Sequence, residues 1–105
     1  MIFTTTDTVP GREIASIVGV VTGNVVQSKH VGRDIMAGLK SIVGGELAGY
    51  TEMMSEARDI AIERLVKEAS NLGADAVVGI RFTTSAVTDG ASEIMAFGTA
   101  VKLHN

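Results

Sequence analysis

The stretch from Thr51 to Leu72 constrains this chain most. Glu52, Glu56, Asp59, Glu63, Lys67 and Ser70 fall three or four apart, which places them on one stripe of a helix. Met54, Ala57, Ala61, Leu65, Ala69 and Leu72 form the opposing apolar stripe, widened by Met53, Ile60, Ile62 and Val66. No proline or interior glycine interrupts the run. Thr51 reads as a plausible N-cap, with Glu52 setting a negative charge where the unpaired amides point, and Glu46 to Tyr50 leads into the helix, which an earlier start would include. Glu63 and Lys67 stand in the favourable order for a helical ion pair. Gly73 supplies the stop, because glycine takes the left-handed conformation without a Cβ clash.

From Ala74 to Ser85 the period changes to that of a strand, with Ala76, Val78, Ile80 and Phe82 on one face. Val77, Gly79, Arg81 and Thr83 take the other face. The helix would be about 33 Å long at ~1.5 Å per residue. A strand of about ten residues at ~3.3 Å per residue matches it. One helix can therefore cover one sheet face from end to end.

Upstream, Ile2 to Thr6 is read as a short strand, followed by a turn at Pro10-Gly11. Glu13 to Ser28 is a longer strand that is apolar on both faces. Ile14, Val18 and Val20 are assigned to one face, and Ala15, Ile17 and Val21 to the other, with a bend expected at Asn24. Gly19 and Gly23 share the second face, where glycine inside a strand signals a bulge or a close backbone. Residues 29–50 are irregular: Ile35, Leu39 and Ile42 keep helical spacing, but Gly38 weakens it and Gly44-Gly45 ends it. Ile94 to Leu103 is the last strand, with Met95, Phe97, Thr99, Val101 and Leu103 on its apolar face. Asp89-Gly90 marks a hairpin joining it to the preceding strand.

This order predicts one domain over residues 1–105 of the α+β class. It is a two-layer sandwich of one long helix on a mainly antiparallel three-stranded β-α-β-β sheet, with extra short strands. A single helix covers only one sheet face, and the first long strand is apolar on both. An uncovered apolar face marks an interface, so the chain is expected to self-associate.

Composition narrows the function. Hydrophobic residues are 46% and charged residues 20% of the 105, a balance that folds rather than staying disordered. The net charge is −3, and there is no basic run and no array of aromatics on which bases could stack, so no nucleic-acid partner is expected. No apolar run reaches membrane-spanning length and no secretion signal opens the chain, so a cytoplasmic protein with no membrane partner is expected. Without cysteine there are no disulfides and no thiolate chemistry.

Several segments taken together resemble the YbjQ-like family, small uncharacterised bacterial proteins labelled as heavy-metal-binding. They are Gly19-Val20-Val21-Thr22-Gly23, Arg33-Asp34, Ile42-Val43-Gly44-Gly45, Tyr50, Ala57-Arg58, Leu72-Gly73-Ala74-Asp75-Ala76-Val77-Val78-Gly79 and Gly98-Thr99-Ala100-Val101-Lys102. They run in order over nearly the whole chain, and LGADAVVG after a helix is the most specific. The resemblance implies a dodecin-like topology whose last strand pairs antiparallel with the first. It also implies a pentameric ring assembled with help from short strands. It carries no set of catalytic residues.

The candidate sites follow from residue chemistry. A divalent metal ion could be held by His30, Asp34 and Glu46, alone or gathered on a ring axis from several subunits. Soft metals prefer thiolates, and Met36, Met53 and Met54 at helical spacing read more simply as core. His30 and Asp34 alone are too few, since a catalytic zinc site usually takes three protein ligands. His104 sits at an end expected to be mobile. For a small ligand, the candidates are Arg33, Asp34, Gly44, Gly45, Tyr50 and Arg58, at a subunit boundary. Gly44-Gly45 precedes a helix N-terminus where amides can hold an anion, but no phosphate-loop or dinucleotide fingerprint surrounds it. The simpler readings are a glycine hinge and Arg–Asp pairs that fix a loop. Arg81 suits an interface, and Glu52 and Glu56 a solvated face. No nucleophile, base and orienting group converge, so no catalytic residue is assigned. The expectation is a homo-oligomeric module that binds a small ligand or ion, or serves assembly. A metal-binding protein with intersubunit sites and an enzyme with an intersubunit active site are the alternatives.

Overall fold

In the computed structural model, which describes residues 1–28, 48–88 and 91–105, one helix lies across one face of a four-stranded mixed sheet. The elements are β1 (Ile2–Phe3), β2 (Ile14–Ser28), α1 (Ala48–Asn71), β3 (Ala76–Thr88) and β4 (Ala91–Leu103). The strand order is β1-β3-β4-β2. β4 pairs antiparallel with both β2 and β3, as the expected topology requires. The count differs from the three main strands expected, because β1 joins as a fourth, parallel to β3. The long axis of the molecule is 53 Å, close to the ~50 Å that a 15-residue strand such as β2 spans at ~3.3 Å per residue.

α1 begins at Ala48, so Thr51 lies inside the helix and is not its N-cap, and the first turn carries no acidic side chain. Nothing between Ala48 and Thr51 stops the helix from extending backwards. Its end is the expected one. Gly73 has φ +78°, its N–H donates to the Ser70 carbonyl at 3.0 Å, and the Ala74 N–H donates to the Ala69 carbonyl at 3.1 Å. This is a Schellman closure. Leu72 therefore falls outside the helix and stands 52% exposed, off the stripe to which its spacing assigned it. Glu63 and Lys67 form no ion pair; among the described residues the one such contact is Lys102–Asp75.

Ala57, Ala61, Leu65 and Ala69 are fully buried and form the underside of α1. They pack on Val21 and Val25 of β2, Val77 and Ile80 of β3, and Ile94, Ala96 and Ala100 of β4. The helix thus sits on the small-residue face of β4, not on the face carrying Phe97 and Met95. Small side chains let the two backbones approach closely. A second cluster, Val9, Ala76, Val78, Val101 and Leu103, lies apart from the helix, with Ile14 packed against it.

Bulges explain where strict alternation misassigned faces. The pairing of β3 with β4 shifts between Val78 and Arg81, at Gly79 with φ +63°. Ile80 consequently joins Val77 beneath the helix, not Val78. In β2 the pairing shifts between Ile17 and Gly19. Val18 and Val21 pack with the helix, whereas Ile17 and Val20 are left exposed. β2 does not bend at Asn24, which pairs with Met95 inside an unbroken ladder. Gly11 has φ +81° in the expected Pro10-Gly11 turn, closed by the Arg12 N–H on the Val9 carbonyl at 3.1 Å. Thr88 pairs with Ala91, and Asp89-Gly90 between them lie outside the described residues.

Candidate functional site

β2 is an edge strand, and polar side chains of α1 reach its open side. Arg64 and Glu68 are one helical turn apart on α1 and both reach β2. The Glu68 carboxylate accepts the Thr22 N–H at 3.1 Å, and the Arg64 guanidinium donates to the Asn24 carbonyl at 2.6 Å. Asn24 also donates through Nδ2 to Glu93 at 3.1 Å. Two edge groups that would otherwise face solvent thus have charged partners. Sequence reasoning missed Arg64 and Glu68. The available signal was Gly23, which permits the helix to sit close enough for both side chains to reach.

The sheet face away from α1 leaves several apolar side chains exposed among polar ones. Ile17 is 73% exposed, Val20 74% and Val26 54%. Phe97 and Met95 of β4 are half-buried on the same face, opposite Thr22 and Asn24. Thr22 and Asn24 separate Val20 from Val26 along this face.

At the other end, Asp75 ties the helix exit to the end of β4. Its carboxylate accepts the Leu103 N–H at 2.9 Å and lies 3.5 Å from the Lys102 ammonium. The Leu103 amide, then the Lys102 charge, hold its pKa below the usual carboxylate value, against a partial desolvation. Lys102 also donates to the Gly73 carbonyl at 3.0 Å. Arg81 donates to the Thr5 carbonyl and to the Ile80 carbonyl, both at 2.8 Å, so it pins the N-terminal segment of its own chain. His104 is not at a loose end: its N–H donates to Glu13, and its carbonyl accepts from Arg12.

Of the residues singled out from the sequence, His30, Arg33, Asp34, Gly44, Gly45 and Glu46 lie outside the described residues. Tyr50 is in the first turns of α1. Arg58 is exposed and donates to Ser55 Oγ on its own helix at 3.1 Å. Glu52 and Glu56 are exposed, as a solvated face requires. Among the described residues no three His, Cys, Asp or Glu side chains stand together. Met53, Met54 and Met95 are half-buried. The described residues do not fit a heavy metal, whose soft character calls for thiolates that the chain lacks. No helix among them is long and apolar enough to cross a membrane.

A family model described as "Putative heavy-metal-binding" matches residues 1–104. A UPF0145 protein of Vibrio campbellii is 79% identical over 103 residues, covering 98% of this chain and 99% of the relative. One from Thermotoga maritima is 61% identical, covering 98% and 97%. A crystal structure of a protein of unknown function, of the DUF74 family from Pediococcus pentosaceus, superposes with a TM-score of 0.60 at 20% identity. It covers 99% of this chain and 98% of its own. At that identity the likeness concerns the fold alone.

Proposed function

This chain belongs to the YbjQ-like family, and we propose that it is a self-assembling module that binds a small ligand or ion between subunits. The observation that carries the reading is the bare aliphatic face of β2, with Ile17 and Val20 each about three-quarters exposed (73% and 74%). Exposed aliphatic side chains of this kind are stabilised by covering them, at about 25 cal/mol per Å² of apolar area removed from water. The assembly we propose is a homopentameric ring, the subunit number resting on the family resemblance. Arg33, Asp34, Gly44, Gly45, Tyr50 and Arg58 are the proposed ligand contacts. Nothing in the described geometry gathers a nucleophile and a base, so binding is preferred to catalysis.

Native mass spectrometry of untagged protein, purified without added metal, tests this reading. The expected result is a five-chain species. A monomer at micromolar concentration overturns it. Ile17→Glu together with Val20→Glu is expected to reduce the species to single chains with native circular dichroism. An unchanged mass would remove the β2 face from the interface.

The family description favours a second reading, in which symmetry-related His30, Asp34 and Glu46 hold a divalent metal ion. Calorimetric titration of apo protein with Zn²⁺, Ni²⁺ and Cu²⁺ separates the two. Saturable heat supports the metal reading, and its absence for all three ions removes it.

A further inference from the structure

We infer that Arg64 and Glu68 of α1 are guards that keep a further strand off the outer edge of β2. Both act within one chain, so they operate in a single chain and in a ring alike. β2 needs such a guard. Ile14–Ser28 contains no charged residue and no proline. Ile, Val and Thr, which favour strands, fill much of it. Charge and proline are the usual obstacles to pairing on an edge, so the strand by itself offers its outward N–H and C=O groups to other chains. Among the described residues β2 is the last strand on its side of the sheet.

The obstacle comes from the helix instead. The Glu68 carboxylate accepts the Thr22 N–H at 3.1 Å, and the Arg64 guanidinium donates to the Asn24 carbonyl at 2.6 Å. One bond satisfies a donor and the other an acceptor, the two kinds of bond that a strand laid along β2 would make there. An incoming strand would have to displace both. It would also strip two charged groups of their partners and of part of their water, which is costly. The Asn24 side chain is engaged as well, donating to Glu93 at 3.1 Å. Water would serve these exposed backbone groups nearly as well, so the two bonds add little stability. What they add is occupancy of the edge. Arg64 and Glu68 stand four residues apart, so one side of α1 delivers both. Their reach depends on Gly23, where a Cβ would overlap the Ala61 carbonyl oxygen and the Leu65 amide and lift the helix away. Contact through the exposed Ile17 and Val20 side chains then stays on the sheet face and does not run on from edge to edge.

Replacing both guards by alanine tests their role. Arg64→Ala with Glu68→Ala removes one charge of each sign, so the net charge stays at −3 and growth cannot come from lost repulsion. Folding is read by circular dichroism, mass by light scattering over a range of concentrations, and the Thr22 amide by hydrogen exchange. The expected result is a folded variant with the wild-type mass when dilute and at least double that mass when concentrated. Its Thr22 amide should exchange fast in dilute solution and slow again on concentration. Glu68→Gln with Arg64→Lys keeps an acceptor and a donor in place, and should hold the wild-type mass throughout. A folded alanine variant that matches the wild-type mass at every concentration overturns the inference. So does a mass that grows while the Thr22 amide stays fast, since the growth then lies elsewhere, and so does equal growth of the conservative pair. Where the double alanine variant does not fold, Glu68→Ala alone, which gives up a single exposed bond, is read in the same two ways. Wild type is the baseline, so a wild-type monomer overturns the self-association reading and leaves this one standing.

Discussion

Gly23 of β2 lies directly beneath the backbone of Ala61, so that a Cβ at this glycine would overlap the Ala61 carbonyl oxygen and the Leu65 amide. Neither atom belongs to a side chain that can swing away. Gly23→Ala is expected to destabilise the fold by about 3 kcal/mol, the upper part of the usual overpacking range. Gly19→Ala, which meets nothing within 4 Å, should change stability by less than about 0.5 kcal/mol. Urea unfolding of the two variants side by side checks the contrast, and equal midpoints would contradict it.

Removing the helix side chains that reach β2 should loosen its edge without unfolding the domain. Glu68→Ala leaves the Thr22 N–H without its 3.1 Å acceptor, and the bond is exposed, so the loss is about 0.5–1 kcal/mol. Hydrogen exchange gives the sharper readout. The Thr22 amide should exchange faster in Glu68→Ala and stay as in wild type in Arg64→Ala, which frees a carbonyl instead.

Asp75 sets an acid limb to stability. Its folded pKa is lowered from 3.8, chiefly by the Leu103 N–H and then by Lys102. A depressed carboxylate contributes stability that is fully present above its unfolded pKa and is lost as pH falls through the folded one. The contribution therefore holds at neutral pH and decays below about 3.8. Asp75→Asn should remove that part of the acid dependence, while wild type keeps it. Thermal unfolding between neutral and strongly acidic pH compares them, and parallel curves would contradict the assignment.

Arg81 fastens the first residues to β3, so Arg81→Ala should free them. Limited proteolysis is expected to cut more rapidly among residues 1–12. The global loss should be near 1 kcal/mol, or about 5 °C in Tm. An unchanged digestion pattern would show that the backbone bonds of Thr4 and Thr6 hold the segment by themselves.

The parts of this fold legible in sequence are those governed by one local rule. The polar stripe from Glu52 to Ser70 is exposed throughout, and Ala57, Ala61, Leu65 and Ala69 are buried, because helical period alone decides them. Gly73 and Pro10-Gly11 worked as stops because few other residues tolerate those backbone angles. Gly23 signalled a close backbone, and Gly19, with open space where a Cβ would be, instead marks the register shift after Ile17. The faces of β2 and β3 were misread beyond their bulges, since a single extra residue inverts every later side chain. The choice between the two faces of β4 was also hidden. Hydrophobicity points to Met95 and Phe97, but the helix selected the face on which Ile94, Ala96 and Ala100 let it come near. As for the candidate site, of the six proposed ligand contacts only Arg58 has a described side chain, and it bonds within its own helix. Arg64 and Glu68 were missed because their partners are backbone groups of a distant strand, to which only Gly23 pointed.

The position of β4 between β2 and β3 also governs the order of assembly. β4 is the last of the five described elements, yet both long strands before it hydrogen-bond to β4 and not to each other. Its pairing with β3 is local, Thr88 lying opposite Ala91, whereas β2 meets it across more than half the chain, as in Ile14 opposite Leu103. Contacts so far apart in sequence form slowly, because the loop must close before they stabilise anything. On a ribosome, β2 is the first long strand to emerge, and it waits without its ladder partner until β4 has been made. The nascent chain is therefore most exposed to wrong partners during synthesis of α1 and β3.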